Sequence, residues 1–170
     1  MNMGGEADKL FDKKYTCPVC DNNFTSKTVR SGKARMVRTD MDLRNVYDGI
    51  EPLKYDVILC PKCGYAALSR FFPNVSSIQH KYISEKITPN FKPMAEDGDE
   101  YSFEYALFRY RIAFANAVVK MSKVSEGAYL SLKTAWLCRS YKESMSESDA
   151  GYQDKYAKID AMEKENIRNY

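Results

Sequence analysis

Two Cys-x-x-Cys sequences constrain this chain more than anything else in it: Cys17-Pro18-Val19-Cys20 and Cys60-Pro61-Lys62-Cys63-Gly64-Tyr65, with 39 residues between Cys20 and Cys60. Two residues between cysteines let both sulfurs of a pair converge on one ion about 2.3 Å away, and two pairs complete a tetrahedral thiolate set. Pro18 and Pro61 restrain the backbone after the first cysteine of each pair, and Gly64 permits the left-handed turn that aims N–H groups at sulfur. Asp21 and Asn22 follow the first pair, and both residue types tolerate that geometry better than most. Four sulfurs leave no open position for water or substrate. The expectation is therefore one structural Zn2+ on Cys17, Cys20, Cys60 and Cys63. Two other readings compete. A rubredoxin-like iron centre uses the same ligands, and a redox dithiol uses one pair, in a thioredoxin-like setting that two matched pairs do not resemble. Ligand softness favours zinc.

Around this site, 170 residues fit one domain or two very small ones. Residues 15–70 read as a small β-rich ribbon. Alternation in Thr28-Val29-Arg30 and Ala34 to Arg38, with Ser31-Gly32 as a turn, predicts an extended basic hairpin, and Tyr55 to Leu59 predicts a strand running into Cys60. Residues 71–100 read as a helix over 75–87, with Asn74 as N-cap, and then a linker with two prolines and the acidic run Glu96 to Glu100. Residues 101–170 read as helical: a central buried helix over 101–122, a break at Ser125-Glu126-Gly127, a helix over 128–141 bearing Trp136 and Cys138, and a last helix from Asp149. That helix reaches Tyr170 without a capping signal, which raises the expectation of a partner helix supplied from elsewhere. The fold class is α+β, with antiparallel helices after the ribbon.

Charge is uneven. The basic surplus lies in residues 1–70, which hold 12 Lys or Arg against 9 Asp or Glu, while residues 71–170 are balanced at 14 of each. Lys27, Arg30, Lys33, Arg35 and Arg38 make the hairpin a candidate nucleic-acid surface, with Phe24 available to stack on bases. Four thiolates on a divalent ion would bring the total close to neutral, so no strong nucleic-acid field is implied. Asp40 and Asp42 read as partners for neighbouring arginines. His80 reads as a solvated surface residue and Cys138 as a small buried hydrophobe, so no catalytic triad can be assembled. The longest nearly uncharged apolar run, Ile112 to Val119, is far short of the roughly 20 residues of a membrane helix. No apolar leader follows Met1, which predicts a cytoplasmic location and reduced thiols.

The combination of CPVC, a basic hairpin, Pro52 to Asp56, CPKCGYAAL and the Ala135-Trp136-Leu137-x-Arg139 element resembles the uncharacterised bacterial family named domain of unknown function 2225, over about residues 15–145. The resemblance implies a zinc ribbon followed by helices similar to tetratricopeptide repeats, and it carries no catalytic residues. Glu51 stands before Pro52 where the family pattern has Asn, and the C-terminal helices are fewer. The function expected is a non-enzymatic interaction or adaptor protein that binds a protein or peptide through its helices, with a nucleic-acid or ribosome-associated ribbon and iron electron transfer as the alternatives.

Overall fold

The computed structural model describes residues 5–95 and 98–170. Three antiparallel two-stranded ribbons come first: β1 (Leu10–Thr16) with β2 (Asn23–Val29), β3 (Met36–Thr39) with β4 (Asn45–Tyr47), and β5 (Val57–Leu59) with β6 (Ala66–Leu68). Four helices follow: α1 (Ser77–Lys86), α2 (Phe103–Val119), α3 (Val124–Ser144) and α4 (Tyr152–Asn169). The class is α+β. No helix among the described residues is long and apolar enough to cross a membrane.

Each Cys-x-x-Cys sequence closes a ribbon. Thr16 lies opposite Asn23 and Leu59 opposite Ala66, so residues 17–22 and 60–65 are the two hairpin turns. The expected hairpin of residues 28–30 with 34–38 does not form. Ser31 and Gly32 do turn the chain, but Val29 pairs back with Leu10, and β3 pairs forward with β4. β1 was not legible because Phe11 to Lys14 are all exposed, which leaves no alternation of apolar and polar residues to read.

β5 and β6 are buried at every position. Their two-residue period explains this, because the two faces of the ribbon serve different cores. Val57, Leu59, Ala66 and Leu68 join Tyr105, Ala113, Leu130, Leu137 and Ile159 from the helices. Ile58 and Ala67 face the cysteines, Tyr65, Phe72 and, from α1, Ile83. The larger core thus runs from the ribbons into α2, α3 and α4 across the expected boundaries near residues 70 and 100.

α2 and α3 are antiparallel: Phe103 stacks on Tyr141 at 4.7 Å, and at the other end Lys120 pairs with Glu126 at 2.8 Å. α4 runs back along α3 through Arg139–Glu163 at 3.1 Å and Lys142–Asp160 at 2.6 Å. Its exposed positions include Gln153, Asp154, Lys158, Lys164 and Glu165, together with Ala157, Ala161 and Ile167.

Three boundaries differ from expectation for local reasons. α1 starts from Ser76 instead of Asn74, because Ser76 and Gln79 form a reciprocal capping box. The α2–α3 break falls at residues 120–123, where Met121 takes φ 51°. Ser125-Glu126-Gly127 are helical, with Glu126 held by Lys120 and favoured near a helix N-terminus. The linker begins with a 3-10 turn at Thr88–Asn90, whose first residue donates its hydroxyl to the Cys63 carbonyl. Within its acidic run, Glu96 and Asp97 lie outside the described residues.

Candidate metal centre

Both cysteine turns are built from the same backbone bonds. In the first, the Cys17 N–H donates to the Asn22 carbonyl at 2.9 Å and the Asp21 N–H to the Cys17 carbonyl at 3.0 Å. In the second, the Cys60 N–H donates to Tyr65 at 2.8 Å and the Gly64 N–H to Cys60 at 3.1 Å. The residue four positions after each leading cysteine is left-handed, Asp21 at φ 55° and Gly64 at φ 76°. The Val19 N–H is directed at Cys17 Sγ at 3.4 Å and the Tyr65 N–H at Cys63 Sγ at 3.5 Å.

The turns bring all four sulfurs within 4.8 Å of one another. Cys17 and Cys63 are 3.6 Å apart, as are Cys20 and Cys60. Tetrahedral ligands about 2.3 Å from an ion stand about 3.8 Å apart, so the spacing fits one four-coordinate metal. An all-sulfur donor set is wrong for Mg2+ or Ca2+ and right for a soft or borderline transition metal. Without a cation the four thiols cannot all ionise. S–H groups of Cys17 and Cys63 donating to Cys60 pull its pKa down to about 2. Cys17 is pushed up to about 12, chiefly by its hydrogen bond with Cys60, and Cys63 is pushed up by its bonds with Cys17 and Cys60. A divalent ion relieves that conflict by displacing the thiol protons and offsetting half of the four thiolate charges.

The helical part grips both turns. Asn116 Nδ2 donates to the Gly64 carbonyl at 2.9 Å, and Thr88 Oγ1 to the Cys63 carbonyl at 3.0 Å. His80 Nε2 lies 2.7 Å from the Val19 carbonyl, so this exposed histidine is a tether between α1 and the first turn as well as a surface residue. The Phe91 ring covers Gly64 so closely that a Cβ there would sit 2.4 Å from its Cγ. Sequence reasoning found the cysteines and Gly64 but missed Asn116. The signal was present, since Asn116 is the one polar residue inside the apolar run from Ile112 to Val119.

The family model for the uncharacterised protein conserved in bacteria, DUF2225, matches residues 10–169. The chain belongs to that family. The DUF2225 chain is also 27% identical over 82 residues to an uncharacterised protein of Borreliella burgdorferi, a match covering 44% of this chain and 29% of that relative. It thus spans less than a third of the relative's length. No solved structure matches it.

The other candidate residues of the DUF2225 chain are placed as follows. Lys27 pairs with Asp12 at 3.4 Å, Arg35 with Asp48 at 3.4 Å, and Arg38 with Asp40 at 3.2 Å and Glu143 at 3.9 Å. Arg30 lies over the Phe11 ring and Lys33 is exposed. Phe24, expected to be free for base stacking, is instead packed on Tyr15 and Phe72. Asp40 takes Arg44 Nε at 2.8 Å, and Asp42 takes Arg139 Nη1 at 2.8 Å and the Trp136 indole N–H at 3.1 Å. These carboxylates balance arginines as expected, but two of the partners come from α3. Cys138 is fully buried, and burial, aided by Glu163, pushes its thiol up to about 12.

Proposed function

We propose that this chain is a non-enzymatic, zinc-dependent interaction protein of the cytoplasm. Cys17, Cys20, Cys60 and Cys63 would hold one structural Zn2+, and the tetratricopeptide-like helices would bind a protein or peptide. The observation that carries the reading is the closed sulfur set, whose turns are hydrogen-bonded to α1 and α2. A fully ligated ion offers no site for water or substrate, so its contribution is to folding. Two further features agree with a binding role. His80 and Cys138 are engaged or buried, and Phe114, Val118 and Met121 stand exposed along one face from α2 into the turn after it. The pairing of Lys27, Arg35 and Arg38 with acidic groups weighs against the nucleic-acid alternative.

The test combines elemental analysis of protein purified without added metal, a Cys60→Ser, Cys63→Ser variant, and affinity capture. About one zinc per chain, an unfolded double variant and a partner lost on Tyr129→Ala or on Phe114→Ala, Val118→Ala would support the reading. Iron in a coloured sample would replace zinc by an electron-transfer centre. Partners indifferent to every helix variant would remove the adaptor role, and salt-sensitive RNA binding lost on Arg30, Arg35 and Arg38 substitution would put the ribbon reading in its place.

A further inference from the structure

The four cysteines of the candidate metal centre are not equivalent. Cys17, Cys60 and Cys63 are 0%, 0% and 2% exposed, whereas Cys20 is only partly buried. Their sulfurs also differ in what is directed at them. The Val19 N–H points at Cys17 Sγ at 3.4 Å and the Tyr65 N–H at Cys63 Sγ at 3.5 Å, and the N–H groups of Lys62 and Cys63 bond to Cys60. Among the described residues no N–H is directed at Cys20 Sγ, which instead lies 3.6 Å from Cys60 Sγ. An N–H···S bond draws density from the lone pair that a thiolate uses as a nucleophile, and burial keeps electrophiles out. Cys20 lacks the first protection and part of the second.

The backbone repeats the asymmetry. The second turn is held from three sides, by Asn116 on the Gly64 carbonyl, Thr88 on the Cys63 carbonyl and the Phe91 ring over Gly64. The first turn is held to α1 by the His80–Val19 bond, and after Cys20 the chain passes through Asp21, exposed and left-handed. A ligand on the less tethered turn can leave an ion with the least disturbance of the core.

We propose that the Cys20–Cys60 pair is a modification site for peroxides, and that oxidation there opens the metal centre. The inference rests on the metal centre proposed above and names the residue and the chemistry by which it gives way. The Cys20 thiolate attacks one oxygen of hydrogen peroxide. An S–O bond forms as the O–O bond breaks, and the departing hydroxide takes a proton and leaves as water. Cys60 Sγ then attacks the sulfenic sulfur, so that an S–S bond forms, the S–O bond breaks and a second hydroxide leaves as water after taking a proton. In all, two thiolates lose two electrons and one peroxide gains them. The two sulfurs must close from 3.6 Å to about 2.05 Å, and the ion loses two of its four ligands.

Zinc-loaded protein is treated with graded hydrogen peroxide and quenched with iodoacetamide. Released zinc is read with a chromogenic indicator, and disulfides and alkylated cysteines are located by mass spectrometry of unreduced digests. The Cys20–Cys60 disulfide is expected first, in step with zinc release, while the fully buried Cys138 stays unalkylated. Cys20→His keeps a zinc ligand at that position and removes the nucleophile, and should slow peroxide-driven release about tenfold. A first disulfide between any other two cysteines, alkylation of Cys138 before the Cys20–Cys60 bond appears, or release from Cys20→His at the wild-type rate overturns the proposal and leaves the metal reading intact. If the histidine variant takes up no zinc, the order of modification in the zinc-loaded protein decides. A chain that takes up no metal removes both readings.

Discussion

Asn116, fully buried on α2, donates to the Gly64 carbonyl 2.9 Å away and, with the same amide nitrogen, to the Ile112 carbonyl in its own helix at 2.9 Å. The second cysteine turn is thereby tied to the central helix, and the four-cysteine cluster is anchored to the helical core. Asn116→Leu keeps the volume and removes the donor. The stranded Gly64 carbonyl should cost about 1–3 kcal/mol. The thermal midpoint should fall by roughly 5 °C, and a competing chelator should strip the metal faster than from the wild type. Scanning calorimetry and chelator kinetics check the two effects separately.

Gly64 and Asp21 occupy equivalent left-handed positions but differ in what surrounds them. At Gly64 a side chain meets both the backbone penalty and the Phe91 ring. Gly64→Ala should therefore cost more than about 2 kcal/mol. Asp21 is exposed, so Asp21→Gly relieves the left-handed strain at the expense of a freer unfolded chain. It should be neutral or stabilising by up to about 1 kcal/mol. Urea unfolding of the metal-loaded variants measures both, and a Gly64→Ala protein as stable as wild type would contradict the packing of Phe91.

Thiol protonation competes with the metal, so the centre should be acid-labile. Cys17 and Cys63 are raised when the set is unliganded, and a metal must displace those protons. Apparent affinity should rise with pH across the neutral range and proton release should accompany binding. Calorimetric titration in buffers of different ionisation enthalpy counts the protons directly.

The cysteine spacing alone singled out the four residues whose sulfurs the fold brings together, and a ribbon around them, because ligand chemistry ties residue type to spacing. The helices were legible from their apolar period. Strand pairing was not. β1 is solvated on both faces, and β5–β6 is buried on both, so neither shows the alternation that marks a half-buried strand. Gly127 signals a break between α2 and α3, but it lies inside α3, where the buried Lys120–Glu126 pair holds the first turn. Long-range partners such as Asn116 with Gly64, or Asp42 with Arg139, carry no local sequence signal.

Arg44 is 1% exposed and bridges Asp40, Ser140 and Glu143, locking the β3–β4 ribbon onto α3. Arg44→Ala should cost about 3 kcal/mol, at the low end for breaking a buried pair, because the Glu143 side chain is 47% exposed. Amide exchange should quicken in β3 and β4 before it does in α2. Acid should loosen the same contact. Arg44 and Arg38 hold Asp40 below the usual carboxylate range, and Arg139 with Trp136 does so for Asp42 against the opposing effect of burial. With folded pKa values below the unfolded ones, their stabilisation is complete above about pH 4 and is lost as pH falls through the folded values.

Glu51 carries the opposite sign. Its carboxylate accepts the Leu53 N–H at 3.1 Å and so caps the 3-10 turn at Pro52–Tyr55. Burial raises its pKa despite the hydrogen bonds from Ser140 and Leu53 and the charges of Arg44 and Lys54. The folded state then binds the proton more tightly than the unfolded chain does. Stability falls as pH rises from the unfolded value, about 4.3, through the folded one, and the full penalty persists at neutral pH. Glu51→Gln retains an acceptor oxygen for Leu53 and removes the ionisation. It should raise the thermal midpoint at pH 7 on the order of 2 °C and leave it unchanged or lower at pH 4. Melting curves of both proteins between these limits give the test: parallel pH profiles would mean that the Glu51 carboxylate is as well solvated in the folded chain as in the unfolded one.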